Sequence, residues 1–453
     1  MQQDSKITRL LVLCTKIFLI WLLLQFFVQT FVNFWLGRNN WFWSFIWSWK
    51  ELAVIWLFWF LWRTVYKTQD IEVLIKKLWL KKYTRVFIWV ILIVLIASVF
   101  ITKVGLGAAI VSLRYSMIGF LIFFLFFLLG ILMFQNQEEW IIQWYSKVIK
   151  WLLVWSLFWW AVIWAVPRLL TFVWYDQYSY EWKVGMAPPT TYYTQYNEWY
   201  SRNQFLFERP ISWWFFLVAL WPLFFVLCIK NRGLKNFFGW WGLYAIAVLS
   251  TFSRAARIAR ILQTIFLLFL QNKQLIKKNA IVMFVWLWVV FGLVTYLGKD
   301  QIINRQFSNT GHFTSIKTAL EKLKEKPIFG QWAGFAWPAS HQLESVKEYN
   351  PENQFLQILL EYWIVGFAWW IFLYGYLIYL WFQAYKVSLQ SHISKTQKYH
   401  SFLVVACALG LIGLSIEWLV LHSFVDRMIV YPFMALFWLS YSIYFKTKGN
   451  FKH

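Results

Sequence analysis

Long apolar blocks recur along the whole chain, separated by short polar links, and each block approaches the roughly 20 residues needed to cross a bilayer as a helix. The blocks fall at 9–36, 52–66, 84–102, 113–134, 149–173 and 211–229, then at 238–252, 255–270, 279–297, 355–384, 401–423 and 428–446. Blocks 52–66, 238–252 and 255–270 are the short ones. The pattern predicts an all-α, polytopic membrane protein of about 12 transmembrane helices, with residues 1–453 forming a single membrane domain. The polar N-terminus, Met1 to Lys6, precedes a run far longer than a signal-peptide core, so it reads as a retained first span.

The links carry a second, independent signal. With the N-terminus in the cytoplasm, one set of loops collects Lys76, Lys77, Lys81, Lys82 and Arg85, then Lys230, Arg232 and Lys235, then Lys273, Lys277 and Lys278. Lys386, Lys395 and Lys398 follow on the same side, and so do Lys446, Lys448 and Lys452 of the tail. That asymmetry is the positive-inside pattern, and it predicts cytoplasmic N- and C-termini. Two loops on the opposite, outer face are long, 174–210 and 298–354, and the second carries a charged segment, Ile316 to Lys326, that reads as a helix. Loops of this length on a compact protein are usually functional.

Composition sharpens the exclusions. The chain is 61% hydrophobic and 14% charged, where a soluble domain is about half apolar and a quarter charged. The net charge of +24 sits in short membrane links, so nucleic acid is not an expected partner. Cys14, Cys228 and Cys407 all lie inside apolar runs, and they suggest neither a disulfide nor a metal framework. No metal site and no cofactor are expected.

Four short motifs stand in order on this frame. RNQFLFERPIS occupies 202–212, and TFSRAARIA occupies 251–259 at a span end. The second long loop reads SNTGHFTSIKTALEKLKEKPIFG, then QWAGFAWPAS, then PENQFLQILLEYWIVGFAWW as the next span begins, and Trp49-Lys50-Glu51 precedes the second span. Together they resemble the O-antigen ligase and polymerase superfamily, over a motif region of about 200–370. The resemblance implies a membrane glycosyltransferase of cell-surface polysaccharide biosynthesis. Such an enzyme takes a glycan from a polyprenyl-diphosphate carrier at the outer face and joins it to an acceptor hydroxyl on a glycan, lipid or protein.

The same resemblance implies the site. Arg202 and Arg254 match family arginines, and guanidinium groups suit the oxygens of a diphosphate. Where the ligases carry His at the start of the last active-site span, this chain has Glu352, followed by Asn353. Where they carry Arg ahead of the loop helix, it has His312. Both exchanges keep a polar, titratable group, so Glu352 and His312 stand as catalytic candidates. Asn353, Arg257 and His341 are possible lining residues. Each has a plainer reading: Arg254, Arg257 and Arg260 as the polar face of an amphipathic helix, Glu352 as a helix cap, Arg202 as a loop cation, His312 as a satisfied loop histidine. Glu361 and Glu417 lie inside expected spans, where carboxylates are functional candidates by default. The rival function is a transporter or a lipid-linked oligosaccharide flippase; no internal repeat is visible in the sequence to favour it.

Tryptophan is abundant, 36 residues against 19 glycines. Trp332 and Trp337 stand in a turn where the family pattern has glycine, and Trp214 and Trp363 stand where small residues are expected. Two readings account for this: a tryptophan-rich, lipid-facing surface, or a source that reads UGA as glycine. Codons separate them. The recoding reading expects UGA at positions 214, 332, 337 and 363 with UGG at Trp49, and UGG at all five would leave only the surface reading.

Overall fold

The computed structural model describes residues 5–36, 49, 52–53, 55–57, 59, 93, 112, 126, 129–130, 137–166, 203, 207, 210–231, 234–251, 253–271, 306–326, 331, 334–336, 349, 351, 353–388, 390, 394–418 and 427–447. Among them every regular element is helical. In chain order these are α1 (Ser5–Leu36), α2 (Glu138–Ala165), α3 (Pro210–Asn231), α4 (Leu234–Leu249) and α5 (Arg254–Gln271). The series continues with α6 (Gln306–Glu325), α7 (Gln354–Ser388), α8 (Lys395–Trp418) and α9 (Arg427–Thr447). By length and composition, Ile211–Cys228, Gly366–Ser388 and Lys395–Ile416 can cross a membrane, so the protein is a multi-pass membrane protein. Of the block 52–66 only scattered helical positions are described, and the blocks 84–102 and 279–297 lie almost wholly outside the described residues.

Where helix bounds differ from the apolar blocks, local chemistry explains it. The fifth block was expected at 149–173, yet α2 begins at Glu138, with Glu138 and Glu139 in its first turn, where the helix dipole favours acids. It ends at Ala165, and its C-cap Val166 has φ −134° and ψ 74°. Val166 precedes Pro167, whose ring disfavours helical geometry in the residue before it. The loop helix, expected at Ile316 to Lys326, is α6, and it starts ten residues earlier at Gln306. Gly311 does not break it; nothing crowds that position.

The core forms around α3 and α8. From Ser212 to Cys228 every α3 residue is buried, which suits a helix that is apolar on all sides. Helix α8 packs against α3, α5, α7 and α9, and α3 also packs against α2, α4, α5 and α9. Pro222 lies inside α3, so its missing N–H cannot bond the carbonyl of Val218 four residues back. Gln263 of α5 fills that gap: its Nε2 donates to Val218 O at 3.1 Å and to Leu409 O of α8 at 2.9 Å. The Tyr244 hydroxyl of α4 donates to the neighbouring Leu217 O. Small residues let the helices close. A Cβ at Gly413 would stand 2.1 Å from Gln263 Nε2, and one at Gly410 would stand 2.2 Å from Ala219 O.

The two ends of the bundle differ in character. At one, Lys446 Nζ of α9 meets Glu138 Oε1 of α2 at 2.5 Å, and His400 Nε2 of α8 lies 3.4 Å from Glu139 Oε2. At the other, the α4–α5 turn meets Asn203 of the first long loop.

The α3–α8 contact makes a direct test. Gly410→Ala forces a methyl against a backbone carbonyl that cannot swing away and should cost about 1–3 kcal/mol. Gly239→Ala of α4, with nothing within 4 Å, should leave stability unchanged or raised. Thermal unfolding in detergent measures both.

Candidate active site

The α4–α5 turn is built by short polar side chains. Ser250 Oγ donates to Ala247 O at 2.8 Å and Thr251 Oγ1 to Val248 O at 2.7 Å, closing the end of α4. Ser253 then caps α5, its Oγ accepting from the N–H of Ala256 at 3.2 Å. Asn203 docks onto this turn: its N–H donates to Ser250 O at 2.8 Å, and its Nδ2 donates to Ser250 Oγ at 3.0 Å and to Ser156 O of α2 at 3.4 Å. Arg202 itself, with Glu352 and His341, lies outside the described residues. Its neighbour Asn203 nevertheless fixes the first motif against the turn whose next helix opens with Arg254.

The other α5 arginines divide. Arg257 is half-buried. Arg260 is buried between two indoles, 4.8 Å from the Trp221 ring and 5.1 Å from the Trp241 ring, and its Nη2 reaches Trp241 O at 3.4 Å. Those cation–π contacts commit Arg260 to helix packing. Trp214, expected at a small-residue position, is 6% exposed and its indole N–H finds no acceptor, so a lipid-facing surface does not account for it.

The second cluster forms where α6, α7, Gln331 and the turn 334–336 meet. His312 was expected ahead of the loop helix; it lies within α6, half-buried, because the helix begins at Gln306. Helix α6 packs on α7, so His312 and the residues flanking position 352 belong to one pair of packed elements. Asn353 is buried and caps α7, its Oδ1 accepting from Leu356 N at 3.0 Å. Gln331 staples the cluster: its N–H donates to Leu360 O at 2.9 Å and its Nε2 to Lys322 O at 2.8 Å. Tyr349 donates to Ser315 O at 3.1 Å and stacks near Phe335, with Lys322 Nζ 5.2 Å from that Phe335 ring. Burial pushes the Tyr349 hydroxyl up to about 12, so it remains a donor at neutral pH.

At the centre of this cluster is Glu361, a span carboxylate, 1% exposed. Its Oε2 accepts from Ser112 Oγ at 2.9 Å and its Oε1 from Ala336 N–H at 3.1 Å, with further hydrogen bonds to the Gly334 backbone and the Gln357 side chain. Ser112 is also 2.5 Å from the Tyr362 hydroxyl. Gly334 has φ 92°, a left-handed conformation natural to glycine, and this lets the turn present successive backbone groups to one carboxylate. Sequence reading left Gln331, Gln357 and Asn203 unassigned; the only signal for them was their place inside the four motifs. Among the described residues no group of three or more His, Cys, Asp and Glu side chains is gathered to hold a metal.

Both clusters belong to the stretch that runs from the end of α3 to the first half of α7. Residues 240–371 match the O-antigen ligase family model. That match bears out the resemblance to the O-antigen ligase/polymerase superfamily, and it spans the α4–α5 turn, α6, the 331–336 turn and Glu361. No curated protein and no solved structure matches the chain. The matched residues thus contribute to both polar clusters, with Ser112, Ser156 and Asn203 reaching them from outside.

Glu361 is predicted to hold the turn. Glu361→Leu strands two backbone groups of the turn, each at about 1–3 kcal/mol, whereas Ser112→Ala removes the bonds to Glu361 and Tyr362 at about 1 kcal/mol each and leaves the turn's own bonds to Glu361 in place. Faster amide exchange at Gly334 and Ala336 in the Leu variant, and near-normal exchange in the Ala variant, are the expected outcomes.

Proposed function

We propose that the protein is a membrane glycosyltransferase of the bacterial inner membrane that moves a glycan from a polyprenyl-diphosphate carrier to an acceptor hydroxyl on the outer face. The family match at 240–371 supports an O-antigen ligase/polymerase-type activity in general and carries this reading. The finer scheme draws support from Asn203, whose bonds to Ser250 tie the Arg202 motif to the turn preceding Arg254.

In this scheme Arg202 and Arg254 hold the carrier diphosphate, with bidentate guanidinium contacts suited to its oxygens. Glu352 takes the proton of the acceptor hydroxyl as its oxygen attacks the anomeric carbon of the donor glycan. The bond from that carbon to the diphosphate oxygen breaks, and the electron pair leaves with the polyprenyl diphosphate, whose charge the arginines offset. His312, and the lining candidates Asn353, Arg257 and His341, would orient the acceptor. The acceptor is a growing glycan in a polymerase, or a lipid or protein in a ligase.

Reconstitution in vesicles with a polyprenyl-diphosphate oligosaccharide tests the scheme. Glu352→Gln should slow transfer about 10²–10⁴-fold while carrier binding survives. Arg254→Ala should weaken binding and transfer together. Full activity in the Gln variant would remove Glu352 from the chemistry.

A further inference from the structure

Three side chains of α7 form one polar stripe. Gln354, Gln357 and Glu361 are spaced by three and four residues, so they share a helix face. All three are buried, Gln354 at 0% and Gln357 at 1% exposure. The C-terminal end of the stripe is fully engaged, since Glu361 accepts from Ser112, from the 334–336 turn and from Gln357. The N-terminal end is not. Neither Nε2 nor Oε1 of Gln354 has a hydrogen-bond partner, and Oε1 of Gln357 has none either.

Buried amides without partners are uncommon in native proteins, because nothing repays the loss of water. Here three such atoms lie within one helical turn, next to Asn353 and two residues from Glu352. We propose that this end of the stripe binds the hydroxyl groups of a sugar residue of the glycan. The chemistry selects that ligand over an anion. Gln357 gives its amide to Glu361, so what it offers is an acceptor oxygen, which takes a hydrogen bond from a hydroxyl and repels a phosphate. Gln354 supplies a donor and an acceptor together, the pair that a hydroxyl, itself donor and acceptor, satisfies. Glu361 acts as a positioning residue: by engaging Gln357 it fixes which amide atom faces the ligand. Both glutamines are closed to solvent in the unliganded protein.

The assignment rests on the glycan-transfer reading, and the experiment separates the two. Full-length protein in detergent is titrated with polyprenyl-diphosphate oligosaccharides and, as control, with sugar-free polyprenyl diphosphate, and transfer is assayed in parallel. Gln354→Met keeps side-chain size and removes only the unsatisfied amide, so its unliganded thermal stability should equal or exceed wild type. Its affinity for the oligosaccharide carriers should fall about tenfold or more, with affinity for the sugar-free carrier unchanged. Transfer should show a raised KM with a smaller change in kcat. Equal loss for both carriers would overturn the sugar assignment, and so would unchanged affinity for the oligosaccharide. A marked loss of unliganded stability would also overturn it, because the amide would then have a partner within the protein. Selective oligosaccharide binding by a wild type that catalyses no transfer would sustain the subsite and overturn the reaction.

Discussion

A bilayer core supplies no water to a stranded carbonyl, and the Pro222 break in α3 is where that constraint bears hardest on this fold. The carbonyl released by the proline is taken by Gln263, and the same amide also holds Leu409 of α8. One side chain on α5 thus satisfies a defect in the most buried helix and sets the distance to its principal neighbour. Gly413 is small because Gln263 occupies the space where its Cβ would be, and Gly410 is small because α3's backbone does. The α4–α5 hairpin is short for a membrane element, at 16 and 18 residues, and these polar contacts give it a fixed seat.

That seat matters for the site. The turn joining α4 to α5 receives Asn203, and the helix that follows begins with Arg254. Helix α8 lies between this hairpin and α7, packing against both. On α7 a second buried polar group, Glu361, does for the 334–336 turn what Gln263 does for the core. It accepts from Ser112 and from the 334–336 turn, both distant in the chain, as well as from Gln357 on its own helix.

The all-helical, multi-pass character was legible from the apolar blocks, because burial in lipid leaves a strong compositional trace. Helix ends were less so. The acidic start of α2 resembled a loop by hydropathy, although acids at an N-terminus and the absence of breakers favour helix there. The early start of α6, which brings His312 inside the helix, was hidden by a polar SNTG run that tolerates helical geometry once packed on α7. At the site, motif resemblance pointed to the stretch that matches the O-antigen ligase family model. It did not reveal Asn203, Gln331 or the Gln354–Gln357 pair, because a polar residue's role depends on which partner the fold supplies and which it withholds. Glu361 was visible as a carboxylate in an apolar block, but its ties to Ser112 and Ala336 arise only from tertiary contact.

The charged clasp at the opposite end has a consequence for biosynthesis. Glu138 is almost wholly buried, and its cation, Lys446, stands 308 residues later near the end of the last helix. During synthesis the carboxylate enters the membrane long before its partner is made, and the bundle is electrically incomplete until α9 is inserted. Without α9, Glu138 would stay buried among apolar helices with its cationic partner missing.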